Sequence, residues 1–144
     1  MITHPELDAL RELWASKCGT RAMPPRAALD MAAIARWRTH AASVEVEHDA
    51  GGFRIGWVGG WLAEHHGAPS GALGGEDRSR EIGAALSADL ERASALKAPV
   101  FTLRAGTSAT GGDTQYSQLV LPLSDDGDTV VALLVATYPL PNVH

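Results

Sequence analysis

The chain has 144 residues, 45% of them hydrophobic, which suits a single domain whose core needs no disulfide or metal. A net charge of −5 disfavours sequence-independent binding to nucleic acid, and the single cysteine, Cys18, excludes an internal disulfide or an all-cysteine metal site. Met1–Glu6 has no charged head before an apolar run, and the apolar stretch Thr129–Tyr138 is about half a membrane-crossing helix, so a cytoplasmic chain with no membrane partner is expected.

The charge is uneven. Residues 1–40 carry six Lys/Arg against four Asp/Glu, while residues 41–144 carry six against thirteen. A basic N-terminal arm can dock on an acidic body, its own or that of a second copy.

Thr3-His4-Pro5-Glu6 reads as a capping box opening a helix, with Thr3 as the cap and Glu6 reaching back. Leu7, Leu10, Leu13 and Trp14 then recur at helical spacing as one apolar stripe, and Gly19 ends the helix. Residues 1–22 form this flanking helix and residues 23–144 the remaining domain. Pro24-Pro25 separates the two, and a second short helix is expected from Asp30 through Met31, Ile34 and Trp37.

Val44 and Val46 alternate with Ser43, Glu45 and Glu47, and Phe53, Ile55 and Trp57 alternate with Arg54, Gly56 and Val58. With Asp49-Ala50-Gly51-Gly52 between them, these runs predict a hairpin. Trp61–His66 reads as a short helix, followed by a Gly/Pro/Ser-rich connection over Ala68–Gly75. A long helix over about Arg78–Lys97 places Ile82, Leu86, Leu90 and Ala93 on one face, and Pro99 ends it.

The last third reads as strands: Val100–Ala105, Thr114–Leu123 and Thr129–Tyr138, with a loop over Gly106–Asp113 and a tight turn over Ser124–Asp128. The final strand is apolar on both faces, so it belongs in the middle of a covered sheet. The fold class is α+β: five antiparallel strands in the order 2-1-5-4-3, helices on one face, and the N-terminal flanking helix.

That order of elements, together with the residues of three segments, resembles the PAS-like family, in particular a bacterial branch of short chains. The segments are Leu13-Trp14 through Met23-Pro24-Pro25-Arg26-Ala27-Ala28-Leu29-Asp30, Phe53-Arg54-Ile55-Gly56-Trp57-Val58-Gly59, and Leu119-Val120-Leu121-Pro122-Leu123-Ser124-Asp125-Asp126-Gly127. The resemblance runs from about residue 5 to residue 140, and its most specific part is the last segment beside the Met23–Asp30 run. Two places depart from the pattern: Trp37-Arg38-Thr39-His40 is more polar than it expects, and Gly60 stands where it expects threonine. The resemblance implies a sensory or regulatory signalling module that binds a small ligand or a partner protein and forms a homodimer. It implies no particular cofactor.

Candidate ligand-binding residues are Phe53, Ile55, Trp57, Trp61, His65 and Tyr116, an aromatic and apolar set that could line a cavity. The plainer reading is ordinary core. Leu7, Leu10, Leu13 and Trp14 are the candidate dimerisation stripe. His65-His66 could supply an axial haem ligand, although a helix end bearing a histidine suits the helix dipole equally. Cys18 lies on the N-terminal helix, and the cysteine motif of light-sensing PAS domains is missing, so Cys18 is expected to be apolar filler.

No catalytic motif stands out, and no enzyme is expected. Gly106–Asp113 lacks the lysine of a phosphate loop, and Asp125-Asp126-Gly127-Asp128 lacks the distal glutamate of a calcium loop. Glu45, Glu47, His48 and Asp49 cluster as an acid–base site would, but their alternation puts them on a wet face. Three functions are therefore distinguished: a ligand-holding sensory module, a ligand-free protein-interaction adaptor, and a small enzyme in a cone-shaped α+β fold. A bound chromophore or ligand marks the first, and a buried carboxylate–histidine pair in a deep cavity would mark the third.

Overall fold

The computed structural model describes residues 4–47, 52–64, 84–107 and 113–140. Five strands, β1 (Ala41–Glu47), β2 (Gly52–Val58), β3 (Val100–Thr107), β4 (Asp113–Leu123) and β5 (Ala132–Pro139), make one antiparallel sheet. Their order is β2-β1-β5-β4-β3, as the two-faced apolarity of the last strand requires. Seven successive β5 residues, Ala132–Tyr138, are buried.

The strand pairings define two faces. On one face Thr102, Gln118 and Thr137 share a row, followed by Val100, Val120, Val135 and Ala42, then Pro122, Leu133, Val44 and Ile55. Helix α3 (Ala84–Leu96) covers this face with Leu86, Leu90 and Ala93, all buried. The other face carries Leu119, Leu121, Leu134 and Tyr138, and helix α1 (Pro5–Cys18) covers it along β4 and β5.

The α1 stripe lies on the chain's own sheet. Leu7 and Leu10 are at most 1% exposed and Trp14 is 7% exposed, with Leu13 packed at the margin. The Trp14 indole Nε1 donates to the Pro122 carbonyl at 2.8 Å. In the single chain the candidate dimerisation stripe Leu7, Leu10, Leu13 and Trp14 thus faces its own sheet, and a contact between copies through it would first have to lift the helix off. The physical reason is the covering that two-faced β4 and β5 demand.

Local expectations also change. Thr3 lies outside the described residues, and His4 caps α1, its Nδ1 accepting from the Glu6 amide at 3.1 Å. The Glu6 carboxylate receives Arg36 Nε at 2.7 Å and the adjacent guanidinium nitrogen at 2.9 Å, and this pairing pulls its carboxyl below the usual range. Between Asp30 and Trp37 the chain forms linked turns flanked by 3-10 turns at Arg26–Leu29 and Arg38–His40, although Ile34 and Trp37 are buried as a helix would bury them. The long helix ends at Lys97, which takes the left-handed conformation (φ 54°) usually left to glycine. Its Nζ meets Asp128 at 3.0 Å.

β5 begins at Ala132, later than the alternation suggested. Asp126 Oδ1 accepts from Ser124 Oγ (2.8 Å) and the Asp128 (2.8 Å) and Thr129 (2.7 Å) amides, which keeps this segment in the turn and out of the ladder. The same turn grips the segment after α1: the Ser124 amide donates to the Pro24 carbonyl at 2.9 Å, and Arg26 holds Asp125 Oδ2 at 3.1 Å. The two most distinctive sequence segments are therefore in contact. No described helix is long and apolar enough to cross a membrane.

Candidate functional site

The α3 face of the sheet is apolar except at one end. There Asp89, a carboxylate inside the Leu86–Leu90–Ala93 stripe, points from α3 at the Thr102–Gln118–Thr137 row. Asp89 is 1% exposed, and burying a carboxylate is costly unless it is paired and hydrogen-bonded. Its Oδ2 accepts from Thr102 Oγ1 at 2.8 Å and Gln118 Nε2 at 3.1 Å, and Arg104 reaches the same oxygen at 2.8 Å. Thr137 Oγ1 donates to Gln118 Oε1 at 3.4 Å. One helix and three neighbouring strands thus converge polar groups on one buried point.

Next to this row on the same face stands Tyr116, opposite Arg104 and Pro139, with burial raising its phenol pKa. Trp61, on the short helix α2 (Gly60–Glu64), meets Tyr116 edge to face at 6.4 Å. Trp61 also stacks on His40 at 4.5 Å, His40 on Tyr138 at 4.1 Å, and Tyr138 on His4 at 4.6 Å. This column of rings leads from the cap of α1, past the sheet's end, to the ring beside the polar row. Gly59 permits it: a Cβ there would occupy the Arg38 carbonyl and the Thr39 backbone.

The six candidate ligand residues do not come together. Trp61 and Tyr116 meet as described. Phe53 and Ile55 lie on the same face but toward its other end, opposite Val46 and Val44, with two paired rows between Ile55 and Tyr116. Trp57 faces the other way. The pairing shifts between Ser43 and Val44, so Gly56 is an extra, unpaired residue and Trp57 falls opposite Ser43, on the α1 side. There it borders a cleft of about 210 Å³ with Leu29, Met31, Leu123 and Leu134. A second cleft of about 240 Å³ lies at the C-terminal end of α3, against Val46, Lys97 and Val130. His65 and His66 lie outside the described residues.

Asp89, Thr102, Arg104, Gln118 and Thr137 were missed in the sequence. One signal was available: Asp89 follows Leu86 by three residues and precedes Ala93 by four, a core position of an amphipathic helix. His4, His40 and Tyr138 carried no comparable local sign. Cys18 is half-buried at the end of α1, and burial raises its thiol pKa. Glu45 and Glu47 pair with Arg54, and Glu45 also faces Arg26 at 3.6 Å. Among the described residues no group of three or more His, Cys, Asp or Glu could hold a metal ion.

No family model matches the chain. No curated protein matches it in sequence. Solved structures do match in shape. A light-oxygen-voltage domain studied with a flavin analogue superposes with a TM-score of 0.53 at 9% identity, over 79% of this chain and 88% of that one. The LOV protein of Rhodobacter sphaeroides gives 0.49 at 11% identity over 69% of this chain, which spans 58% of that protein's length. A PAS domain of a protein from Colwellia psychrerythraea gives 0.42 at 12% identity, over 74% of this chain and 92% of that one. At these identities the likeness is one of fold. With its strand order, its α3-covered face and this likeness, the chain has the PAS/LOV fold.

Proposed function

We propose that this chain is a PAS-like sensory or regulatory module that holds a small ligand on the α3 face of its sheet. The observation that carries the proposal is the buried polar row beside Tyr116 and Trp61. A purely structural core at this position would be apolar, and convergent polar groups beside aromatic rings are what orient a small molecule. A light-oxygen-voltage neighbour whose mechanism was studied with a flavin analogue supports the same class of role.

The ring column supports a route for output. A ligand that shifts Tyr116 or Trp61 pushes on His40 and Tyr138, and through them on the His4 cap of α1. Output to a second copy or another signalling protein then uses surfaces other than the buried α1 stripe. The proposed setting is the cytoplasm. The enzyme reading is not favoured, because the buried carboxylate here pairs with a guanidinium and not an imidazole.

Mass spectrometry under native conditions, with an absorbance scan of the purified chain, tests the proposal. A bound small molecule, lost on Gln118→Leu, is the expected result. A bare protein whose melting temperature no member of a broad metabolite panel raises would leave the ligand-free adaptor as the better account.

A further inference from the structure

The Asp89 carboxylate is used unevenly. Oδ2 takes all three contacts, from Thr102, Gln118 and Arg104, at 2.8, 3.1 and 2.8 Å. Oδ1 is buried and accepts nothing. A buried acceptor left empty has given up its hydration without replacement, which folded proteins rarely tolerate unless something else fills the place. A lone water competes for the same place, and to hold it the water needs two to four polar partners.

Building on the ligand-holding reading above, we propose that Asp89 Oδ1 is the ligand's anchor and selects a neutral molecule presenting an amide or lactam N–H. Charge decides the class. An anion is repelled by the carboxylate. A cation would add a charge to a site that Arg104 already balances, and burying an uncompensated charge is costly. A neutral N–H donor supplies the missing hydrogen bond and disturbs neither balance. Tyr116, two residues from Gln118 on the same strand face, and Trp61 against it suit a ligand with a flat, apolar body.

The probes are three bicyclic compounds of similar size: carbostyril, which has a lactam N–H, N-methylcarbostyril, which lacks it, and the anion quinaldate. Each is titrated into the isotope-labelled full chain and followed by NMR at the amides of α3 and β4. Carbostyril is expected to bind at least about tenfold more tightly than its N-methyl analogue, since a site built to hydrogen-bond a donor rejects the analogue lacking it, with quinaldate weakest. Asp89→Asn, which places an amide N–H₂ where the empty acceptor was, should narrow or reverse the first ratio. The comparison within the wild-type protein stands even where the variant folds poorly.

Equal binding of carbostyril and its N-methyl analogue, or tightest binding by quinaldate, overturns the anchor and leaves the ligand-holding reading intact. A crystal structure soaked with carbostyril that shows only an ordered water on Oδ1 overturns it likewise. Absence of any response at α3 and β4, in a protein that also purifies bare, overturns both.

Discussion

Leu10→Ala separates a helix packed on its own domain from one that serves a partner. Leu10 is 0% exposed at the middle of α1, within the layer that covers β4 and β5. Truncating a fully buried leucine costs about 2–5 kcal/mol, combining lost transfer energy with the cavity left behind. A domain stable by roughly 5–15 kcal/mol loses a large part of that margin. Each kcal/mol corresponds to roughly 2–4 °C in Tm for chains approaching this size, so a fall of about 4–20 °C is expected. Urea unfolding followed by tryptophan fluorescence, at two protein concentrations a hundredfold apart, measures both magnitude and molecularity. The midpoint should be lower than wild type by the same amount at both concentrations, because the contact is intramolecular. A loss below about 1 kcal/mol, or a loss that differs between the two concentrations, would refute the placement of α1.

Four further outcomes follow from named groups. Burial holds the Tyr138 phenol up at about 12, so the stability it contributes is whole below pH 10 and is lost as pH rises from 10 towards 12; with two tyrosines in the chain, both shifted upward, tyrosinate absorbance of the folded protein should lag the urea-unfolded protein, and an ionisation step near pH 10 in both states would contradict this. Hydrogen bonds from the Thr129 and Asp128 amides and Ser124 hold the Asp126 carboxyl well below its ordinary range, so its contribution is whole above about pH 4 and fades as pH falls below that; denaturation from pH 6 to pH 2 should show the stability difference between wild type and Asp126→Asn shrinking, and a constant difference would be a failure. Gly59→Ala should cost roughly 1–3 kcal/mol or more, since its Cβ meets rigid backbone, while Gly52→Ala, facing open space, should be far milder; equal melting temperatures would count against the close approach. In hydrogen exchange, the amides of Leu133–Val135 at the sheet's centre should rank among the slowest, and exchange as fast as that of the Ser124–Thr129 turn would contradict the central place of β5.

Much of the scaffold was legible because it is written in local periodicity. Leu7, Leu10 and Trp14 mark α1, Leu86, Leu90 and Ala93 mark α3, and the two-faced apolar run through Leu133, Leu134 and Val135 demands a central strand. From that one demand the order β2-β1-β5-β4-β3 follows, since the first hairpin must complete the sheet on the open side of β5.

The site was less legible, because its parts meet only through pairing across long stretches of chain. Thr102, Gln118 and Thr137 each look like an ordinary strand residue, and register alone sets them in one row beneath Asp89. Trp57 alternates with Ile55 in the sequence, yet a single unpaired residue, Gly56, turns it to the opposite face, and that bulge belongs to the match between β1 and β2 and not to β2 itself. The α1 stripe is equally apolar whether it covers its own sheet or a partner's. Amphipathicity states that a face must be buried, and only the uncovered surface of β4 and β5, assembled from the far end of the chain, decides against what.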